Sequence, residues 1–422
     1  MDGLHNAIEI IESLLFFFIQ RRKILSLDSI SSPNNDCFFF TTDDLYTYEP
    51  FVADFGPLHL GHTINFIRKL EQILSSSQHE GKRIYYCTSS DHSRRENAIF
   101  LICAFATLSL NKTPDEAVLP FLSLRPPLVP FRDASSGLST FNLTILDLMK
   151  SLVKARSVGL FDLSSFDVVH YEFYSRVENG DMNWIIPGKI LALAGPVEEG
   201  EGNQTPGYST LTPGHYIPYF KKHNVSDVVR LNKKCYSAQR FTSEGINHHT
   251  MYFLDGSCPC SGYVRKFINI VDSASGAIAV HCKAGLGRTG TLIACWMMKE
   301  YMMTAVEALG WLRVVRPGSV IGPQQNFLVD MQAKIHKYAR QLREQAANAA
   351  AGNNSPALFP SPNAPSQVLI NRGDVTAKSP LNKSVVQGLP VGNPLDTPPA
   401  RGVRSQIKTS SPLAKRLERL SL

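Results

Sequence analysis

The apolar positions of this chain fall into two successive series of short and long runs, followed by a tail with no period. In the first series the run at 8–19 predicts a helix passing into a strand inside a core. It holds Glu9 and Glu12, is followed by Arg21-Arg22-Lys23, and is too short to span a bilayer. The runs at 37–40 and 45–48, with turn-forming residues around them, predict strands. The spacing across 61–74 predicts an amphipathic helix, 83–87 a buried strand, and 96–110 a strongly helical stretch. Thr113-Pro-Asp-Glu116 is a helix start, 126–130 a proline-rich turn, and 144–155 a further helix. The second series gives strands at 190–194, 228–231, 249–254 and 276–280, with helices at 261–272, 291–303, 304–316 and 326–343.

One order recurs in both series: strand, polar loop ending in arginine, buried helix. It runs through 83–110 and again through 276–303, with Arg95 and Arg288 in matching places. Six residues before each arginine stand Ser89 in the first copy and Cys282 in the second. The first loop has neither a nucleophile there nor glycines, so its expected job is architectural, or to build a wall of a substrate groove. Between the series, 161–184 is unusually acidic, with Asp162, Asp167, Glu172, Glu178 and Asp181. The length of 422 residues suits two domains and an added segment. The expected division is 1–160, an acidic linker at 161–188, a second domain at 189–345, and a disordered basic tail at 346–422.

The second loop carries chemistry. His281-Cys-Lys-Ala-Gly-Leu-Gly-Arg-Thr289 holds the C-x5-R pattern, and a helix starts just after it. A phosphate dianion needs a cradle of backbone N–H groups, which a glycine-containing loop at a helix N-terminus supplies. Lys283, Ala284, Gly285, Leu286 and Gly287 would form that cradle. Arg288 offers a planar fork for two phosphoryl oxygens. The same positive field favours Cys282 as a thiolate nucleophile, with Thr289 placed to hydrogen-bond the sulfur. A cysteine that attacks phosphorus must expel an alkoxide or phenolate, which needs a proton. Asp255, on a loop 27 residues before the nucleophile, is the candidate acid. Gln324 or Gln325, after the Gly322-Pro turn, is the candidate for holding the water of the second step.

Charge and cysteine content narrow the class. The chain carries +7, but from 341 onward ten Lys/Arg face four Asp/Glu, leaving the remainder nearly neutral and arguing against a nucleic-acid-binding core. The eight cysteines show no disulfide framework, consistent with an intracellular protein. Cys258-Pro-Cys260 lacks the spacing of a zinc pair, and no metal or cofactor is expected.

Three stretches resemble the cell division cycle fourteen dual-specificity phosphatases: Asp255-Gly-Ser-x-Pro259, the loop from His281 to Gly290, and Arg316-Pro-Gly-Ser-Val-Ile-Gly-Pro-Gln-Gln325. The likeness extends through 219–225, 228–234, 177–188, 130–135 and 53–57, and spans roughly 37–340. It implies an α/β fold of two tandem protein-tyrosine-phosphatase-like domains, each a central sheet flanked by helices, only the second catalytic. It also implies phosphoprotein substrates with phosphoserine before proline and a basic residue downstream, as cyclin-dependent kinases make. Glu172, Glu178 and Asp181 resemble the carboxylates that receive that residue, and Ser175 stands where another acid is expected. The nucleus and cytoplasm, with the nucleolus, centrosome or spindle, are the compartments implied.

Phosphoinositide phosphatases share such a loop but carry a second lysine where this chain has Leu286. A non-catalytic phosphate-binding module is opposed by Cys282, Arg288 and Asp255 standing together. In the tail, Ser-Pro or Thr-Pro pairs at 355, 361, 379, 397 and 411 are candidate sites for proline-directed kinases, and leucines at 413, 417, 420 and 422 suggest an export signal or partner helix.

Overall fold

The computed structural model describes residues 6–20, 36–198 and 211–350. The tail's Ser/Thr-Pro pairs and terminal leucines lie outside the described residues. The first half runs β1 (Ile8–Ile11), β2 (Leu15–Gln20), β3 (Cys37–Thr41), α1 (Leu60–Ser75), β4 (Arg83–Ser89), α2 (His92–Leu108), α3 (Pro114–Val118) and α4 (Ile145–Ser157). The second half runs α5 (Val168–Ser175), β5 (Met182–Ile186), β6 (Ile190–Leu193), α6 (Pro213–Lys222), β7 (Val225–Arg230), α7 (Gln239–Thr242) and β8 (Asn247–Thr250). It closes with α8 (Ser261–Ser273), β9 (Ala277–His281), α9 (Gly287–Tyr301), α10 (Ala305–Val315) and α11 (Pro323–Ala350). Among the described residues no helix is long and apolar enough to cross a membrane.

The strand–loop–helix repeat is a repeat of topology. The first sheet has the order β1-β2-β4-β3 and the second β5-β6-β9-β7-β8. In each, the strand feeding the arginine loop is internal and parallel to both neighbours, β4 beside β2 and β3, β9 beside β6 and β7. In each, an antiparallel edge strand precedes the array in sequence, β1 or β5. The helices leaving the two loops, α2 and α9, are buried along most of their lengths, which explains their lack of a polar face. Both sheets lie in one compact unit, Met1–Gln345. Where α4 crosses α10, Gly310 lets the backbones approach: a Cβ there would lie 2.1 Å from Ser151 Oγ.

Several expected elements differ. The 8–19 run is a hairpin: Ser13 turns with φ +55° and donates its N–H to Glu9 Oε1 at 2.7 Å. The apolar residues pair with β4 rather than coil, because strand pairing buries Leu15 and Phe17 completely. At 45–48 there is no strand. The N–H groups of Leu45 and Tyr46 both bond Thr42 O, a turn that leaves Leu45 exposed. The acidic stretch at 161–188 is more than a connector, since it supplies α5 and the edge strand β5. Tyr171 of α5 donates to Val315 O at 2.7 Å, and Trp311 donates to Ile185 O at 3.0 Å.

Candidate active site

The loop from Cys282 to Leu286 sits at the carboxyl end of β9, where open α/β sheets gather their ligands. Its path depends on Gly285, with φ +68°; a Cβ there would lie 2.0 Å from Leu193 O. The helix starts at Gly287, earlier than the apolar pattern indicated, so Arg288 and Thr289 belong to its first turn. Cys282 is 3% exposed at the base of the loop. Burial raises the thiols of Cys87, Cys103 and Cys295, and all eight cysteines are free.

Behind the loop, His281 is fully buried. Its Nδ1 lies 3.1 Å from Cys282 O, and a carbonyl can only accept, so Nδ1 carries the proton. Nε2 therefore accepts from Tyr236 Oη at 2.7 Å, and His248 Nε2 donates to the same oxygen at 2.9 Å. Burial pushes His281 down to about 3, so this relay stays uncharged and fixes the Cys282 carbonyl from the rear. His281 thus supports the phosphate loop without facing it.

Arg288, 3% exposed, holds one terminal nitrogen 3.1 Å from Phe253 O and the other 3.1 Å from Asp255 Oδ1. Its Nε is buried and has no partner among the described residues. A buried charged donor left unpaired is costly, so this atom is available to an acceptor that a ligand brings. Asp255, with a side chain 67% exposed, tops the site on a loop turned by Gly256 at φ +73°.

The expected hydrogen bond from Thr289 to the Cys282 sulfur is absent. The Thr289 hydroxyl is buried in the first turn of α9 without a partner. The two glutamines separate. Gln324 Nε2 donates to Ser257 O at 3.0 Å, and its Oε1 would lie 2.8 Å from a Cβ at Gly287, so it joins the acid loop to the phosphate loop. Gln325 is not brought to the site, because its oxygen accepts from buried Arg313 and its nitrogen donates to Gly322 O at 3.3 Å.

Arg316, which opens the third of the resembling stretches, has a role that its sequence position does not announce. The side chain is buried and donates to Gly285 O at 2.9 Å, Ala284 O at 3.0 Å and Asn183 Oδ1 at 2.7 Å, and it pairs with Asp181 at 2.8 Å. One guanidinium thereby joins the loop carbonyls to the acidic stretch. Asp133 was also missed; it accepts the Gly322 N–H at 2.7 Å and fixes the turn before Gln324 from the first half.

A cavity of about 720 Å³ runs away from the loop. Glu172, Glu178, Asp181, Ser175, Tyr48, Glu49 and Phe51 line it, together with Ala284 and Leu286 of the loop. The expected groove acids do converge, with Asp181 already paired to Arg316. Glu49 adds a carboxylate that no motif announced. Ser175 bonds inward, donating to Tyr171 O at 2.7 Å and accepting from Asn183 Nδ2 at 2.7 Å.

The loop of the first copy is held by a carboxylate, with the Ser89 hydroxyl left buried and unpartnered. Asp43 accepts from Thr88 Oγ1 at 2.9 Å and from the Ser89 N–H at 2.8 Å, taking the anion's place. Arg95 turns aside to Glu96 and to the carbonyls of Pro126 and Pro127, both at 3.0 Å.

Two family models match the chain in the same order as its sheets: dual specificity protein phosphatase, N-terminal half, over 9–155, and dual specificity phosphatase, catalytic domain, over 219–336. The dual specificity protein phosphatase CDC14A of Homo sapiens is 50% identical over 311 residues, covering 74% of this chain and 52% of that protein. The tyrosine-protein phosphatase cdc-14 of Caenorhabditis elegans is 44% identical over 300 residues, covering 70% of this chain and 42% of that protein. The chain spans about half the length of these two relatives. The CDC14 homolog of Schizosaccharomyces pombe is 36% identical over 374 residues, and there the match covers 85% of this chain and 68% of that protein. With both halves matched in order and that relative spanned over two thirds of its length, the chain belongs to the CDC14 family of dual-specificity phosphatases.

Proposed function

We propose that the chain is a cysteine-dependent protein phosphatase that hydrolyses phosphoserine and phosphothreonine, preferably before proline and with a basic residue downstream, and also phosphotyrosine. The observation that carries this reading is the buried Arg288, six residues after Cys282, with an unpartnered Nε and one terminal nitrogen on Asp255. A phosphoryl group entering the loop takes the guanidinium from Asp255, and the exposed carboxylate, freed of that charge, takes a proton from solvent and faces the leaving oxygen. The Cys282 thiolate attacks phosphorus, the P–O bond to the substrate breaks, and Asp255 gives its proton to the departing oxygen. Water held by Gln324 then attacks the phosphocysteine, its proton passes to Asp255, and the P–S bond breaks to return the thiolate and release phosphate. Backbone N–H groups from Lys283 to Arg288 hold the equatorial oxygens throughout. The Thr289 hydroxyl, having no other partner, is free to turn to the returning sulfur.

The cavity beside the loop supports the substrate reading. Glu172 and Glu178 offer negative charge to a cationic side chain downstream of the phosphoresidue, beside the apolar Phe51 and Leu286. The reading places the enzyme against proline-directed mitotic kinases in the nucleus and cytoplasm, with its own tail among their targets.

Turnover of matched peptides tests it: phosphoserine, phosphothreonine and phosphotyrosine, each with and without proline next and lysine beyond, against an inositol phospholipid. Highest kcat/KM is expected for phosphoserine-proline with lysine. Phosphate released from the lipid alone would overturn the assignment. Cys282→Ser abolishes turnover while retaining binding, and Asp255→Ala slows phosphocysteine formation on the order of 10²–10⁴-fold.

A further inference from the structure

On the wall of the groove formed by α1 and α5, two imidazoles and a carboxylate meet. His59 caps the N-terminus of α1, His62 lies one turn on, and Glu172 reaches across from α5. Their donor atoms lie within 4.8 Å of one another. The two rings stack with centroids 3.6 Å apart, and Tyr46 and Tyr171 wall them at 5.0 and 5.5 Å. His59 Nδ1 accepts the His62 backbone N–H at 3.2 Å, which leaves its Nε2 for another partner. His62 Nδ1 is buried with no hydrogen-bond partner. The half-buried Glu172 carboxylate accepts no hydrogen bond and makes no ion pair among the described residues, and Arg176 acts on it only from beyond ion-pair distance. Gly61 keeps the space open: a Cβ there would lie 3.0 Å from Glu172 Oε1 and 3.1 Å from His59 Cε1.

Unsatisfied half-buried donors of this kind are costly unless something joins them. Neutral imidazoles keep the lone pairs that a metal requires. Two nitrogens and one carboxylate oxygen suit a transition ion and disfavour magnesium or calcium, which take oxygen ligands. We propose that His59, His62 and Glu172 bind a divalent ion of the zinc class, with a fourth position open to the groove. Linear spacing does not bring this trio together, because its third donor is joined to the first two only by the packing of α5 on α1.

If the groove takes a cationic substrate residue, a consequence that rests on the proposed function, ion and cation compete for Glu172. Zinc then depresses turnover of lysine-containing peptides more than that of their alanine counterparts.

Cobalt(II) titration of the full chain carrying Cys282→Ser, which removes the reactive thiolate, tests the site directly. One equivalent is expected to give visible d–d absorption without a thiolate charge-transfer band, and zinc displaces it. Glu172→Gln and His62→Ala should each weaken binding about tenfold or more, and the pair His59→Asn with His62→Ala should abolish it. Asparagine keeps an oxygen at the helix cap, and circular dichroism reports whether α1 survives. Absence of the band, or its persistence in the double variant, overturns the site. If cobalt binds as expected but zinc leaves the peptide ratio unchanged, the groove reading fails and the metal site stands.

Discussion

Arg316 and Tyr236 hold the phosphate loop from two sides, and each does so through partners far off in sequence. Arg316→Lys removes a planar fork that reaches two loop carbonyls and Asn183 at once. We expect kcat/KM to fall about tenfold to a hundredfold and stability to drop by about 2–4 kcal/mol, read from steady-state kinetics and urea midpoints. Tyr236→Phe strips the hydroxyl from between His281 and His248. That should cost about 1–3 kcal/mol and shift the midpoint more than KM; an unchanged midpoint would contradict the relay. Cys282 and Arg288 were legible because the loop that unites them is continuous in sequence. Arg316 was not legible as a clamp, since its targets lie 31 and 133 residues away. Gln324 and Gln325 were indistinguishable, because only the turn at Gly322 decides which amide faces the loop.

Elements were legible where local pattern and tertiary packing agree. The helices α1, α8 and α10 fall within a few residues of their apolar periods. The β1 arm of the hairpin was missed because a short, mostly apolar run fits a buried helix equally well, and pairing with β2 decides the matter. α9 begins before its apolar period does, because its first turn is made of glycine and polar residues, Gly287-Arg-Thr-Gly290. Gly285 is the hinge of that arrangement. Gly285→Ala forces a side chain into the left-handed region and against Leu193 O, so we expect loss of activity with destabilisation of about 2–4 kcal/mol. A fully active, equally stable variant would mean the loop can be rebuilt.

At the scale of the molecule, the acidic stretch and the first half complete the second half's sheet and cover α10. A fragment of 189–345 lacks β5 and the α4 surface that meets Gly310, and should be insoluble or poorly cooperative in urea while the intact chain melts cooperatively. Acid should also weaken the fold. Above pH 6.5 His281 is neutral whether folded or unfolded; below it the unfolded chain takes a proton that the folded chain refuses until about 3. Stability therefore falls as pH drops through that window, by up to about 1.4 kcal/mol per unit from this residue. His59 and His62 act in the same direction. Urea midpoints flat across the window would contradict this.

The single guanidinium shared by the phosphate loop and Asp181 also bears on how selectivity can be re-engineered. On the proposed reading of the groove, Glu178→Lys is expected to change only KM, and only for peptides with a downstream charge, in steady-state kinetics. Reversal of Asp181 instead unseats Arg316 and drags kcat down for every peptide, charged or not. An attempt to evolve a new sequence preference would therefore find Glu178 permissive and Asp181 closed.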